Sequence, residues 1–321
     1  MASLRLPHSL RPLLRCPVCR SALDLAGEHL ACATPVCGSR FPVVDGVPVL
    51  LNEQNSVFRT ADFLARHSTT IDLERSRARN ALGRLIPSIS ANIKARRNYE
   101  AFARLLLGQS AAPRVLVVGG SILGEGIESL VRSRSLELVE TDVSFGPRTM
   151  LICDAHDIPL EDESFDGAIV QAVLEHVVDP YRCVGEIHRV LKRDGLVYAE
   201  TPFMQQVHMG RYDFTRFTHL GHRRLFRAFD EIESGALCGP GMALAWAYQY
   251  FLWSFTESHI GGLLARAFAR ATAFFLKYFD YYLIDKAGAL DAASAYYFLG
   301  RKAGRTLTDR ELVGLYRGVQ R

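Results

Sequence analysis

The sequence predicts an α/β fold: a doubly wound, mostly parallel sheet, preceded by a small cysteine-bearing segment and interrupted late by a helical insertion. Three observations predict it. Short β-branched runs alternate with helical stretches between residues 113 and 203, as in a parallel sheet with crossover helices. A glycine turn, Gly119-Gly120-Ser121, directly follows the first of these runs. Four cysteines stand close together near the start, at Cys16, Cys19, Cys32 and Cys37.

Composition sets the outer bounds. The 321 residues are 49% hydrophobic and 22% charged, which suits a globular protein of roughly two domains and excludes a wholly disordered chain. The net charge of +4 is too mild to point to nucleic acid. No apolar run reaches the ~18 residues of a membrane-spanning helix. The opening stretch MASLRLPHSLRPLLR has no continuous apolar core and does not read as a signal peptide. Seven cysteines, four of them clustered, argue for a metal site plus free thiols at Cys153, Cys183 and Cys238, not for a disulfide framework. A reducing, cytoplasmic compartment is expected.

The elements follow in order. Residues 1–55 form a first unit rich in Cys, Pro and Gly. Residues 56–112 form a helical, Arg-rich linker region, with helical spacing from Asn98 to Leu107. The main domain is expected over 113–303. Its strands are Val115–Val118, Leu136–Thr141, Gly167–Val170 and Leu196–Glu200, with helices over Gly126–Arg132 and Tyr181–Leu191. Asp194-Gly195 reads as a turn. Two long helical stretches, Ala243–Phe255 and Gly262–Ile284, make an insertion at about 240–290, and Ala293–Arg301 reads as a buried strand. Residues 304–321 form a tail.

The cysteines follow C-x2-C-x12-C-x4-C. A tetrahedral zinc ion needs four thiolates converging at ~2.3 Å. Cys16 and Cys19 supply two from one tight turn. Cys32 and Cys37 supply the others from a returning hairpin, with a wider loop over Ala33–Val36. Four thiolates leave no open coordination position, so such a site is structural and not catalytic. The stretches LRCPVC at 14–19 and CGSRFPVVDGVPVLL at 37–51 resemble the zinc-ribbon family typified by the tRNA-methyltransferase activator subunit. That resemblance implies a structural ribbon or a docking surface.

Glycines at a strand end let a backbone approach a ligand closely. Asp142 ends the second strand, where a carboxylate can accept hydrogen bonds from both hydroxyls of a ribose. Further blocks follow: Asp154-Ala155-His156-Asp157-Ile158-Pro159-Leu160, Ser164-Phe165-Asp166, Leu174-Glu175-His176 and Val190-Leu191-Lys192-Arg193-Asp194-Gly195. Their order and spacing resemble the class I S-adenosylmethionine-dependent methyltransferases, in the type 11 branch that includes quinone-biosynthesis methyltransferases. The resemblance implies a Rossmann-like sheet of seven strands with S-adenosylmethionine as cofactor. It implies that Gly119, Gly120 and Ser121 cradle the cofactor and that Asp142 holds its ribose. Asp154 would accept from the adenine amine, beside the Ala155 backbone, and Gln171 would border the sulfonium. The chain departs from the family pattern at Val117, where an acid is common, and in the loop GGSILGEG, where G-x-G-x-G is common. His176 reads as closing a turn.

Residues 208–219 gather His208, Asp213, Arg216 and His219 among aromatics. A histidine can take a hydroxyl proton near neutral pH, and an arginine can hold a carboxylate, phosphate or sugar. The stretch resembles the H-G-x-P-x-D-F-x-R-x-T segment of methyltransferases from glycan and surface-polysaccharide clusters, with Tyr212 in place of the proline and Arg211 inserted. It implies His208, Asp213 and Arg216 as acceptor-site residues, with His219 second. The expected function is methyl transfer to a small-molecule, glycan or lipid-linked acceptor, at oxygen. Arg266, Arg270 and Lys277 are expected to share one helix face, and Leu264, Phe268, Phe275, Tyr278 and Tyr282 another. Those helices read as a lid or homodimer element, or as a surface facing a membrane. Two rivals remain. One is an rRNA or tRNA methyltransferase tracking phosphates with Arg75, Arg77, Arg79, Arg84, Arg96 and Arg97, which the mild charge disfavours. The other is a non-catalytic scaffold, which cofactor binding would distinguish.

Overall fold

The computed structural model describes residues 4–67, 70 and 86–319. Its strands are β1 (Leu23–Ala26), β2 (His29–Cys32), β3 (Arg40–Val44), β4 (Val47–Leu50), β5 (Arg114–Val118), β6 (Glu137–Asp142), β7 (Leu151–Cys153), β8 (Phe165–Gln171), β9 (Leu191–Pro202), β10 (Phe229–Cys238) and β11 (Ala295–Lys302). They form one sheet in the order β1-β2-β3-β4-β7-β6-β5-β8-β9-β11-β10. The strands from β7 to β9 run parallel. β11 lies antiparallel between β9 and β10. The expected seven-stranded α/β sheet is therefore present, in strands β5 to β11.

Strand periodicity builds the two sides of the core. Leu116 and Val118 of β5 join Ala168 and Val170 of β8 on one face, under Cys183, Val184 and Ile187 of the helix Pro180–Val190. Val115 and Val117 join Ile169 and Tyr198 on the other, under Tyr99, Phe102 and Leu106 of the helix Ala95–Gln109. Strands covered on both faces need apolar side chains at every position, which is why β5 reads RVLVV. Asp179 caps the first of these helices by accepting from Arg182 N at 3.1 Å, with Pro180 in its first turn.

The first four strands are not a separate appendage. β4 pairs in parallel with β7, Val49 opposite Ile152 and Leu50 opposite Cys153. The cysteine-bearing unit thereby extends the sheet to 11 strands. Polar contacts seal the junction. Arg15 N donates to Pro159 O at 2.9 Å, and Arg20 reaches Ile158 O and Glu186 Oε2, both at 2.7 Å.

Several local expectations change. The Asp194-Gly195 turn lies inside the long β9 as a bulge: Phe165 faces Leu191, Gly167 faces Leu196, and Asp194 takes φ 61°. The helix after the glycine loop shortens to Glu128–Arg132. The long stretch Gly262–Ile284 divides into the helices His259–Ala273 and Leu276–Leu283. The division brings Asp280, 0% exposed, to the start of the helix Pro240–Trp253, where it accepts from Gly241 N at 2.6 Å and Met242 N at 2.8 Å. Gly241 is required there, because an added Cβ would lie 2.2 Å from Leu276 O. The expected cationic face is lost with the division. Arg270 turns to Gln249 (2.8 Å), Arg266 covers the Trp253 ring (4.6 Å), and Lys277 reaches Ser88 O (2.7 Å). Of the arginines in the phosphate-tracking rival, Arg75, Arg77, Arg79 and Arg84 lie outside the described residues. Arg96 pairs with Glu100 at 3.4 Å and Arg97 with Glu233 at 2.7 Å.

His222 gives the fold a pH dependence. It is 2% exposed, edge-on to Phe226, and burial pushes its pKa from 6.5 down to about 3. The unfolded chain takes up a proton below pH 6.5 that the folded chain excludes until about pH 3. Its contribution is full above that upper value and is lost as pH falls through the window. In urea titrations between pH 7 and 5, His222→Leu should flatten the fall in stability by up to about 1.4 kcal/mol per pH unit. An unchanged slope would refute the assignment.

Candidate active site

The carboxyl ends of β5, β6, β8 and β9 open into a cleft with two adjoining cavities that share Gly119 and Ala172. This is where open α/β sheets bind ligands. The smaller cavity, ≈ 120 Å³, is lined by Val57, Phe58, Asp142, Asp154, Ala155 and His176, among others. The larger, ≈ 430 Å³, includes Gly120, Gln171, Glu175, Glu200, His208 and Met242.

The glycine loop turns sharply over β6. Gly119 N and Gly120 N both donate to Thr141 O, at 2.9 and 3.0 Å. Gly119 takes φ +79°, and an added Cβ would lie 2.3 Å from Val173 Cγ2. Asp142 Oδ2 accepts from Ser121 N at 2.9 Å, so the carboxylate fixes the loop as well as facing the cavity. Burial raises its pKa. Ser121 Oγ is buried and has no hydrogen-bond partner among the described residues. Ser121 is 2% exposed and is not among the residues lining either cavity, so, contrary to expectation, it acts on the loop through Asp142 and does not face a ligand.

Asp154 lies deeper than its expected role suggests. Its Oδ1 meets His156 Nδ1 at 2.5 Å and its Oδ2 accepts from Ser56 Oγ at 2.5 Å. Burial alone would raise its pKa, but His156 and Ser56 outweigh it and the net shift is downward. Asp179 N donates to His156 Nε2 at 3.0 Å, which fixes the imidazole as the neutral Nδ1–H form. Gln171 does line the larger cavity, but its Nε2 donates to Glu200 Oε2 at 2.7 Å and Glu125 O at 3.1 Å. It fills the space that the missing side chain of Gly124 leaves, since a Cβ there would lie 1.7 Å from Gln171 Oε1.

The segment after β9 divides its predicted residues. His208 lines the larger cavity, with its side chain 26% exposed. Asp213 and Arg216 do not reach out. All five guanidinium donors of Arg216 are directed inward. They go to both oxygens of Asp213, to Gln205 O (2.9 Å), Gln206 O (3.2 Å) and Thr215 O (2.9 Å). Burial would raise Asp213, but Arg216 and the His208 N–H hold it at about 2. The pair clamps the loop that carries His208. His219 is not among the residues lining the cleft: it packs 5.6 Å from the Tyr296 ring and meets Ser234 Oγ at 3.3 Å. His176 closes its turn through N–H to Val173 O at 2.8 Å, and its ring also stands 4.9 Å from that of His208.

The sequence reading missed three buried acids and one segment. Glu140, Glu175 and Glu200 all border the larger cavity. Burial pushes Glu175 up to about 8 and Glu200 up to about 7. In the sequence each stands inside a β-branched or apolar run, and an acid in such a run is the available signal. Ser56, Val57 and Phe58 follow the cysteine unit and had no motif of their own.

The four cysteines come together. Their Sγ atoms lie within 4.8 Å of one another, Cys16 to Cys37 at 3.8 Å and Cys19 to Cys32 at 3.4 Å. Thiolates ~2.3 Å from a tetrahedral centre would be roughly 3.8 Å apart, so the set fits zinc. Cys153, Cys183 and Cys238 are buried, free and unclustered.

The topology and the cleft are those of an open α/β sheet with a ligand site at the carboxyl ends of its strands. Residues 128–199 match the family model described as a methyltransferase domain. Over those residues the chain is similar to a methyltransferase domain, and the order of its parallel strands agrees with that match. The match begins just after the loop where the chain departs from the family pattern. An uncharacterized 37.1 kDa protein in a transposon of Streptomyces fradiae is 33% identical over 96 residues, 30% of this chain and 26% of that protein. The ubiquinone/menaquinone biosynthesis C-methyltransferase UbiE of Citrifermentans bemidjiense is 38% identical over 52 residues, 16% of this chain and 22% of that one. The chain thus spans about a quarter of the length of these curated relatives. Among solved structures, phosphoethanolamine N-methyltransferase 2 of Haemonchus contortus, in complex with S-adenosyl-L-methionine, is similar at 15% identity and a TM-score of 0.47. That similarity covers 77% of this chain and 61% of the other.

The Ser56–Asp154 contact couples the cysteine unit to the smaller cavity. Cys16→Ser combined with Cys19→Ser should lower Tm and also weaken S-adenosylhomocysteine binding, read by calorimetry. Unchanged binding in the destabilised variant would show the two parts to be independent.

Proposed function

We propose that the protein methylates an oxygen of a small-molecule, glycan or lipid-linked acceptor, and that the four cysteines hold a structural zinc ion. One observation carries the reading. A cavity bordered by Asp142, Asp154 and the glycine loop opens, at Gly119 and Ala172, into a second cavity bordered by His208. S-adenosylmethionine supplies an electrophilic methyl group on a sulfonium. The chain's own residues supply position, the main requirement of an in-line displacement. Asp142 would hold a ribose, and Val57 and Phe58 would pack against an adenine. The buried acids Glu140, Glu175 and Glu200 favour a cationic ligand in the larger cavity. His208 reaches the acceptor, and Asp213 and Arg216 position it.

Calorimetry tests the reading directly. S-adenosylhomocysteine should bind with a Kd in the micromolar range, on the order of −8 kcal/mol. Asp142→Ala should weaken it by roughly 10- to 100-fold, the worth of a hydrogen bond to a charged group. His208→Ala should keep that affinity and lose methyl transfer by ~10²–10⁴-fold. No binding at millimolar ligand would sink the methyltransferase reading and favour the scaffold.

A lipid-linked acceptor is favoured by a specific surface. Phe255 (75%), Ile260 (71%) and Tyr282 (73%) are exposed together with Leu264, Phe268 and Phe279 on the helices after β10. Soluble surfaces seldom carry so many large apolar side chains close in sequence. No described helix is long and apolar enough to cross a membrane. The protein should co-sediment with phosphatidylethanolamine–phosphatidylglycerol vesicles, and Ile260→Ser with Tyr282→Ser should release it. Wild-type protein left wholly in the supernatant would exclude this form of the reading.

A further inference from the structure

A second cluster of ligating side chains lies in the wall between the two cavities. Glu175, His176 and His208 each offer one ligand atom, and these atoms lie within 4.8 Å of one another. Glu175 is 0% exposed, and neither carboxylate oxygen has a hydrogen-bond partner among the described residues. It nevertheless borders the larger cavity. Such a group is costly to bury unless something meets it.

The two imidazoles are set up to do so. His176 Nδ1 donates to Tyr212 O at 2.7 Å, while its Nε2 stands 3.6 Å from Glu175 Oε1. His208 Nδ1 lies 3.2 Å from Gln206 O and 3.5 Å from Arg216 Nη2. His176 thus gives its N–H to a main-chain carbonyl and keeps a lone pair on Nε2 beside the carboxylate. Metal-ligating histidines are held in this way. The backbone fixes the three together. Phe214 N and Thr215 N both donate to Glu175 O, at 2.8 and 3.2 Å, so the loop carrying His208 is tied to the turn carrying the other two.

We propose that Glu175, His176 and His208 bind a divalent first-row transition-metal ion. Two imidazole nitrogens and one carboxylate suit manganese, iron, cobalt, nickel or zinc. Three protein ligands leave coordination positions open, unlike the closed set of four cysteines. Those positions border the larger cavity, where an acceptor oxygen would meet a Lewis acid. This role deepens the methyltransferase reading and makes His208 a ligand in place of a base; metal binding itself does not depend on that reading.

The test uses the full chain, stripped of metal and reloaded with Co²⁺ alone. It should take up two equivalents, one with thiolate-to-cobalt charge transfer and one with ligand-field bands only. Glu175→Gln and, separately, His208→Ala should weaken the second by at least about tenfold. Both should keep the thiolate band and the circular dichroism. A single equivalent with thiolate bands, or a second one retained in both variants, overturns the proposal; intact cofactor binding in that case leaves the methyltransferase reading standing. A second equivalent lost in the variants of a chain that binds no cofactor supports the metal site and removes the reading.

Discussion

The pairing of β4 with β7 is the constraint on which the remaining architecture depends. β7 has only three residues, all buried, and it would otherwise be the edge of the parallel sheet. A buried edge with unpaired N–H and C=O groups is not tolerated. β4 satisfies it, and in doing so fixes where the chain emerges after Leu50. Asn52 and Asn55 then both reach Asp157 Oδ2 at 3.2 Å, and Ser56 reaches Asp154. The cysteine cluster in turn holds the short strands β1 to β3, which are mostly exposed or half-buried and have little core of their own. The cysteine cluster and the smaller cavity are thus connected by one strand pair and the short backbone from Leu50 to Ser56.

The electrostatics of the cleft divide along the same line. In the smaller cavity the acids are satisfied: Asp142 by the loop, Asp154 by His156 and Ser56. In the larger cavity Glu200 accepts from Tyr198 and Gln171 and Glu140 pairs with Arg148 through one oxygen, but Glu175 is not satisfied. Glu140 Oε2 and both oxygens of Glu175 lack partners among the described residues, and burial raises the pKa of both groups. A cation entering this half lowers the cost of ionising them, so its binding and proton release are linked. A sulfonium and a divalent metal both fit that field. Neither charge needs a surface pair, because the compensating groups already lie in the wall.

Much of this was legible in the sequence because the signals are local. Short β-branched runs between helical stretches mark β5, β6, β8 and β9, cysteine spacing marks the cluster, and Asp142 is placed by its distance from the glycine turn, whereas β7 and β10 carry no such run. What escaped was set by contacts between distant segments. Arg216 reads as a free anion binder until its five donors are followed into Asp213 and three carbonyls. His219 reads as a partner of His208, yet its helix turns it toward β10 and β11. Ser56 to Phe58 carry no pattern, and only the β4–β7 pairing brings them to the cavity. Glu175 lies inside a recognised block, but its unpaired oxygens exist only in three dimensions. The break before Leu276 has no proline or glycine to announce it; the gain is the buried Asp280 cap on another helix.

The walls of the cleft also explain why a methyltransferase match does not carry an acceptor with it. The matched stretch, 128–199, holds Asp142 and Asp154 of the smaller cavity and Gln171 and Glu175 of the larger. The far side of the larger cavity is built from elsewhere: Ser90 and Asn92 before the domain, His208 after β9, Cys238 at the end of β10 and Met242 in the helix that Asp280 caps. Trp246 Nε1 donates to Ser90 Oγ at 3.1 Å, and Cys238 meets Asn92 Oδ1 at 3.7 Å. The segment before β5 and the helices after β10 therefore form one wall, locked by polar contacts over more than a hundred residues of sequence. On the proposed reading, acceptor choice is a property of that wall. The exposed apolar surface lies on the next two helices, His259–Ala273 and Leu276–Leu283, and the second of these supplies the Asp280 cap to the wall helix, so an acceptor presented from a lipid layer would meet a surface tied to the wall by that cap.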